Sequence, residues 1–503
     1  GDRTMVNQLK SEAMKSIIYI GLLLLTLTSC QEDKGNYTYR NINEISVTGI
    51  AATKTVTQFS ILGMSPVINQ TMPVSADDLE YLWYVDRGNG KIDTLSQELN
   101  IQTPVNLYPD TYEAYFVVIQ KSTGIFTKVP FKLVVESQLG QGLLVLSDLN
   151  GYANLAYWER SGEVVQDVYE KVNPGLHLGR NPYRVCYMFK GYSIPAFVTV
   201  MCHDEQGGCA LNPVDFTKFK DYAELFYQTP DPLHPDGYGY SNYFNYDETA
   251  FGDLYNDFII NNGQLHERST YVGWYQPAYA VDQDYRLSEY TFMGMMQYIF
   301  YDNEHSQFLQ KTSWPPNSFS VVEVPEGYFR DLYLVYADRG FAGTDYPHYY
   351  CVFKEKTTSD HYFVEVLMSP SGFKPLKKEK IGFAVQEDMP FAVSFTTSAI
   401  FYGVGNELYC YDTGNGRSVS CYNEFGSGAE ITALYLVPQY GESSQYPGET
   451  VLSAVKLFVG VSLPGQEREG SVFEFEVNLD NTLTFIRKKE HIAGKIVSMT
   501  WKY

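Results

Sequence analysis

Seven cysteines, eight histidines and 59 acidic residues are the groups in this 503-residue chain that could do chemistry. The histidines, His177, His203, His234, His266, His305, His348, His361 and His491, show no His-x-His or His-Glu-x-x-His spacing, so no zinc site is expected. No Gly-x-Ser-x-Gly elbow occurs, nor a glycine-rich phosphate loop leading into a helix. Cys202-His203-Asp204 gathers a nucleophile, a base and an acid, but neighbours on a strand point to opposite faces, so the trio reads as a hairpin end. Acid pairs such as Asp253 with Asp257, or Asp282 with Asp284, suit glycoside hydrolysis, which needs carboxylates about 5 to 9.5 Å apart. Acids this numerous make such pairs by chance. The expectation is a protein with no catalytic residue, metal or cofactor. A propeller-type glycoside hydrolase or lyase would instead require a convergent acid cluster with raised pKa at one centre.

The aromatic content is more informative, with 43 tyrosines and 30 phenylalanines. The segment Thr229 to Glu248, TPDPLHPDGYGYSNYFNYDE, is too rich in proline and glycine for a regular strand and reads as a loop bearing Tyr238, Tyr240, Tyr243, Phe244 and Tyr246. Farther on come Trp274, Tyr275 and Tyr279, and Trp314 ahead of Pro315-Pro316. Rings on loops, with hydroxyls and carboxylates nearby, are what a carbohydrate or peptide platform uses: an apolar face for stacking and polar edges for orientation. Tyr238, Tyr240, Tyr243, Tyr246, Trp274, Tyr275 and Trp314 are the candidate ligand-binding residues. The competing reading places them in gaps between sheets.

Two cysteine pairs flank turns. A two-residue turn at Asn415-Gly416 sets Cys410 directly opposite Cys421, with Cα atoms about 5.5 Å apart, which suits a disulfide or two facing thiols. Cys202 and Cys209 bracket HDEQGG in the same way, while Cys186 and Cys351 have no local partner.

The elements that must position these residues are strands. Aromatic and β-branched residues with 40 glycines favour short strands and tight turns, and helical periodicity is scarce. From residue 37 to 138, Trp83 on an alternating strand, Tyr112 after a Pro-Asp corner and a final valine-rich strand predict a small β-sandwich with Trp83 in its core. From 139 to 503, seven hairpins recur every 40 to 60 residues or so: LLVLSDLNGYANLAYW, FVTVMCHDEQGGCALN, FIINNGQLHER, YIFYDNEHSQFLQK, YYCVFKEKTTSDHYFVEV, IFYGVGNELYCYD and LFVGVSLPGQEREGSVFEFEV. Such repetition predicts a β-propeller of about seven blades. In the last hairpin Phe473, Phe475 and Val477 share one face, and Glu474 and Glu476 the other. The final segment, Lys495 to Tyr503, lacks a hairpin of its own, and the first hairpin lacks an inner strand. Their pairing would close the ring and remove an exposed edge.

A formal net charge of −22 excludes nucleic acid as a partner, because phosphates demand a basic face. Met14-Lys15-Ser16, the apolar run Ile17 to Leu27 and Thr28-Ser29 make a secretory signal peptide, its core too short to span a bilayer that needs about 20 apolar residues. Residues 1–29 are thus a start extension plus signal peptide, and 30–36 a tether. Leu27-Thr28-Ser29-Cys30 resembles the bacterial lipobox, which implies a diacylated Cys30 at the mature N-terminus.

Gln31-Glu32-Asp33-Lys34 resembles the surface-export signal of Bacteroidota lipoproteins. With Gly35 to Ile50, GNYTYRNINEISVTGI, and the domain order, the chain resembles the PKD-like family lipoproteins of Bacteroidota, although the Trp-Asp-Phe-Gly-Asp-Gly signature of typical PKD domains is absent. The resemblance implies an outer-membrane, cell-surface lipoprotein with a PKD-like, immunoglobulin-type domain. It also implies an accessory role in nutrient uptake, binding glycan or peptide beside a SusC/SusD-like transporter. A purely structural adaptor on that transporter is the other role it allows. No family catalytic residues carry over.

Overall fold

A computed structural model describes residues 42–502 except 89, 108, 137–138, 189–195, 241–255, 270–272, 280–283, 295–296, 313–316, 341–345, 370–371, 395 and 443–449. Cys30, Tyr243, Tyr246 and Trp314 lie outside the described residues, as does the side chain of Tyr240. The chain forms two compact units: residues to Asn106 with Asp110–Val135, and Leu107–Pro109 with Glu136–Tyr503. The fold is all-β, and the one α-helix among the described residues is the short Val168–Val172.

The first unit holds a five-stranded sheet in the order Thr53–Thr57, Phe126–Glu136, Asp110–Gln120, Leu79–Gly88, Lys91–Ser96, the last four antiparallel, together with two two-stranded pairs. Trp83 is fully buried, tilted against Phe116 at 4.4 Å and edge-on to Phe131. Its indole N–H donates to the Glu98 carbonyl at 2.9 Å, so the polar end of the ring is satisfied inside the core. The sequence assigned Trp83 to packing, and packing is what it does.

In the second unit each of the seven hairpins is present, one in each of seven successive antiparallel sheets. The strands that open the second to seventh sheets are Pro182–Met188, Pro235–Tyr240, Leu287–Gly294, Leu332–Gly340, Phe391–Val393 and Glu430–Glu442. The first sheet is built differently: Lys495–Lys502 pairs antiparallel with Gly142–Leu149, setting Trp501 opposite Leu143 and Met499 opposite Val145. Residues from the end of the chain thus supply the strand that the first hairpin lacks.

Each hydrophobic cluster of this unit lies between consecutive sheets. Leu144 and Leu146 meet Val198 and Val200 between the first and second, and Met201 and Phe226 meet Ile259 between the second and third. The series continues through to Ala392 and Phe401 against Leu457 and Phe473, between the sixth and seventh. The next cluster returns to the start, with Phe458 and Val472 of the seventh sheet against Leu143, Trp158, Met499 and Trp501 of the first. Every sheet therefore buries both faces, and the order of contacts is cyclic and propeller-like. The face that Glu474 shares with Glu476 is covered as well: Glu474 is fully buried, and Lys456 and Arg487 both pair with its carboxylate, which makes a charge tolerable there.

Two further expectations give way. Pro235–Tyr240 is a strand and not part of a loop, paired with Asn256–Asn261. A Cβ on Gly237 would overlap the main-chain oxygen of Glu289, and one on Gly239 would overlap the Thr291 side chain. Glycine is needed there because the third and fourth sheets approach so closely. The hairpin at Thr413 to Gly416 has a longer turn than expected: Asp412 pairs with Arg417 and Cys410 with Val419, so Cys421 is not opposite Cys410. Cys209 faces Val200, leaving Cys202 diagonal to it. The six described cysteines are thiols.

Candidate functional site

The sheet-opening strands converge on a polar cluster that no single stretch of sequence reveals. Tyr183 and Arg184 sit on the second sheet and Glu289 on the fourth. The Arg184 guanidinium donates to Glu289 Oε2 at 2.5 Å, and the Tyr183 hydroxyl donates to the same oxygen. These sheets are not neighbours. The third lies between them in sequence order, and its Gly237 packs against the main chain of Glu289. Burial opposes the Arg184 charge, yet the Glu289 carboxylate together with Tyr183, Cys186 and Tyr290 outweighs it and keeps the guanidinium protonated.

The fifth sheet faces the same space with Tyr336 and Asp338. Tyr290, next to Glu289, meets Tyr336 edge-on at 5.3 Å, and the Tyr336 hydroxyl lies 3.4 Å from Asp338 Oδ2. Asp338 is exposed to solvent, with protein packed around its carboxyl. That surrounding protein pushes its carboxyl pKa up, while the Arg339 N–H, the Tyr336 hydroxyl and the Arg184 charge pull it partly back. The cluster thus joins a neutralised ion pair, three tyrosine rings and one acid with a raised pKa.

Beside it stands a column of rings. Tyr183 stacks on His203 at 4.0 Å, and His203 stacks on His234 at 4.0 Å. His203 ends the first strand of the second sheet's hairpin, and His234-Pro235-Asp236 opens the third sheet. The sequence dismissed Cys202-His203-Asp204 as a hairpin end. Cys202 is indeed buried in the cluster toward the first sheet, while Asp204 caps local N–H groups of its own turn.

The platform residues whose side chains are described, Tyr238, Trp274 and Tyr275, share no exposed face. Tyr275 is fully buried, donating to Asp257 Oδ2 at 2.9 Å beneath an Arg268–Asp257 ion pair, and is unavailable to a ligand. Tyr238 packs part-buried in the same cluster, and Tyr279 is buried with its hydroxyl on Glu267. Asp257, once half of a candidate acid pair, is that buried structural carboxylate. Of the platform residues whose side chains are described, Trp274 alone stands out in solvent, 47% exposed, with Lys220 over its ring. Sequence reasoning missed Tyr183, Arg184, Glu289, Tyr290, Tyr336 and Asp338. The one available signal was a polar residue amid each apolar sheet-opening strand.

Residues 30–182 match the model of the PKD-like family. The chain carries a PKD-like family domain. The match runs through the first unit and over the hairpin of the first sheet in the second. No curated protein matches the sequence. Among solved structures, a quinonprotein alcohol dehydrogenase-like protein from Bacteroides thetaiotaomicron is similar at 10% identity and a TM-score of 0.47, covering 90% of this chain and 97% of that one. The WD40 domain of SCAP from fission yeast is similar at 7% identity and 0.34, over 64% and 74%. The extracellular domain of a putative one component system from B. thetaiotaomicron is similar at 9% and 0.27, over 88% and 84%. No helix among the described residues is long and apolar enough to cross a membrane.

Proposed function

We propose that this protein is a lipid-anchored lipoprotein of the outer-membrane surface whose second unit is a seven-bladed β-propeller. It binds a glycan or peptide at the mouth of the central channel without catalysis, beside a SusC/SusD-like transporter. The observation that carries the reading is the convergence of Tyr183, Arg184, Glu289, Tyr290, Tyr336 and Asp338, from three sheets, on one solvent-reached space. Tyrosine rings give apolar faces, and the ion pair and Asp338 give polar edges. The cyclic order of the clusters and the pairing of Lys495–Lys502 support the propeller. The signal peptide, Cys30 and the acids behind it support the anchor and the outward face.

A second reading, a propeller-type glycoside hydrolase or lyase, is favoured by the raised pKa of Asp338. One experiment separates the two. The detergent-solubilised full chain is incubated with glycan and peptide libraries, and binding and product release are read together. Binding without product supports the proposal, with Asp338→Asn weakening it about tenfold, the loss of roughly 1.4 kcal/mol. Product release that Asp338→Asn abolishes replaces it with the enzyme. A chain that binds nothing in either library leaves the adaptor role.

A further inference from the structure

We propose that His203, His234 and Asp236 hold a divalent transition-metal ion, of the zinc type, where the second and third sheets meet. Each of the three offers one ligand atom, and these atoms all lie within 4.8 Å of one another. Two imidazoles and one carboxylate are the donor set of an open zinc site, with a fourth position left for water or a donor atom from outside. This does not depend on the ligand reading above, because an ion can occupy the three side chains with or without a glycan or peptide.

The surroundings are those of a supported site. His203 Nε2–H donates to the Pro235 carbonyl at 2.8 Å, which fixes the tautomer and leaves Nδ1 with its lone pair. Asp236 Oδ2 accepts the Gly263 N–H at 2.7 Å, orienting the carboxylate from behind. His234 Nδ1–H donates to Asp236 Oδ1 at 2.8 Å, so the two atoms part by about half an ångström to reach the ~3.3 Å edge of a zinc coordination tetrahedron. An ion taking the place of that proton moves it to Nε2 of the same ring, and no bond other than the N–H bonds changes. The His234 side chain is 40% exposed, which gives the ion a way in.

One feature must change on loading. The His203 and His234 rings are within 19° of parallel, and an ion lies in the plane of each imidazole that binds it. Occupancy therefore turns His234 about its Cβ–Cγ bond and opens the stack. The sequence concealed the site because its ligands come from a hairpin turn and from a His-x-Asp triplet about 30 residues on, a spacing that belongs to no metal motif.

The test uses the detergent-solubilised full chain, stripped with a chelator and titrated with Co2+ alone and then with Zn2+ in competition. The expected result is one equivalent of Co2+ with the visible absorption of a four-coordinate site, displaced by Zn2+. His203→Ala and His234→Ala should each weaken binding at least 100-fold, and Asp236→Asn about 10- to 100-fold, while His177→Ala leaves it unchanged. Circular dichroism verifies that each variant is folded. A wild-type chain that shows no stoichiometric cobalt spectrum overturns the proposal, and so does binding that the folded histidine variants leave intact, since the ion would then sit on surface carboxylates.

Discussion

The ammonium of Lys502 donates to the main-chain carbonyl of Leu139, 363 positions earlier, and to that of Val214 at 3.2 Å. Burial lowers its pKa to about 8 from 10.5. A lysine whose folded pKa is depressed stabilises the fold fully above the unfolded value, and that contribution is lost as pH falls through the folded one. The difference in stability between wild type and Lys502→Met should therefore shift in favour of wild type by about 3 kcal/mol between pH 7.5 and 10.5. Urea unfolding across that range measures it, and the comparison with Lys502→Met cancels the tyrosine titrations. A difference independent of pH would mean that Lys502 is solvated.

The close approach of the third and fourth sheets predicts that Gly237→Ala and Gly239→Ala each cost about 1 to 3 kcal/mol, the usual penalty for overpacking. Equilibrium denaturation reads it directly. Unchanged midpoints would show that the sheets are farther apart.

Neighbours in sequence should behave oppositely at Trp274 and Tyr275. Tyr275→Ala empties a fully buried site and should cost about 3 to 5 kcal/mol. Trp274→Ala touches an exposed ring and should stay within about 0.5 kcal/mol. Equal losses would place both rings in the core.

Thiol chemistry tests the register at Cys410. A hydrogen bond from Cys410 lowers the pKa of half-buried Cys421, while burial raises that of Cys351 well above the ordinary value. Timed alkylation read by mass spectrometry should label Cys421 first and the fully buried Cys351 and Cys202 last. If Cys410 and Cys421 stay unlabelled even after unfolding without reductant, they are joined in a disulfide.

The anchor is tested by Cys30→Ser, which should end palmitate incorporation and release the protein from the membrane. Labelling that persists would refute acylation at that residue.

The hairpins were legible because each announces itself locally: two alternating strands and a turn need no knowledge of the rest of the chain. The pairing of Lys495–Lys502 with Gly142–Leu149 was legible for another reason, two complementary deficits at opposite ends of an array. The polar cluster was not. Arg184 and Glu289 belong to the second and fourth sheets, 105 positions apart, and no local pattern pairs them. Composition misled at Tyr238, where PDGYGY looks like a loop until the sheet beyond its glycines is known. Trp274 and Tyr275 share a sequence context but not a side of the backbone. No pattern short of the fold separates them.

The strand order has a consequence in time. Gly142–Leu149 waits for a partner about 350 residues downstream. At about 5 to 20 residues per second, synthesis alone separates the two by roughly 20 to 70 seconds. Throughout that interval the first hairpin stays without its partner along one edge, so a chaperone that shields strand edges would be a natural companion of the growing chain. A prematurely terminated chain would never lose that edge, and protein quality control could recognise it by nothing more specific than an open row of amides and carbonyls.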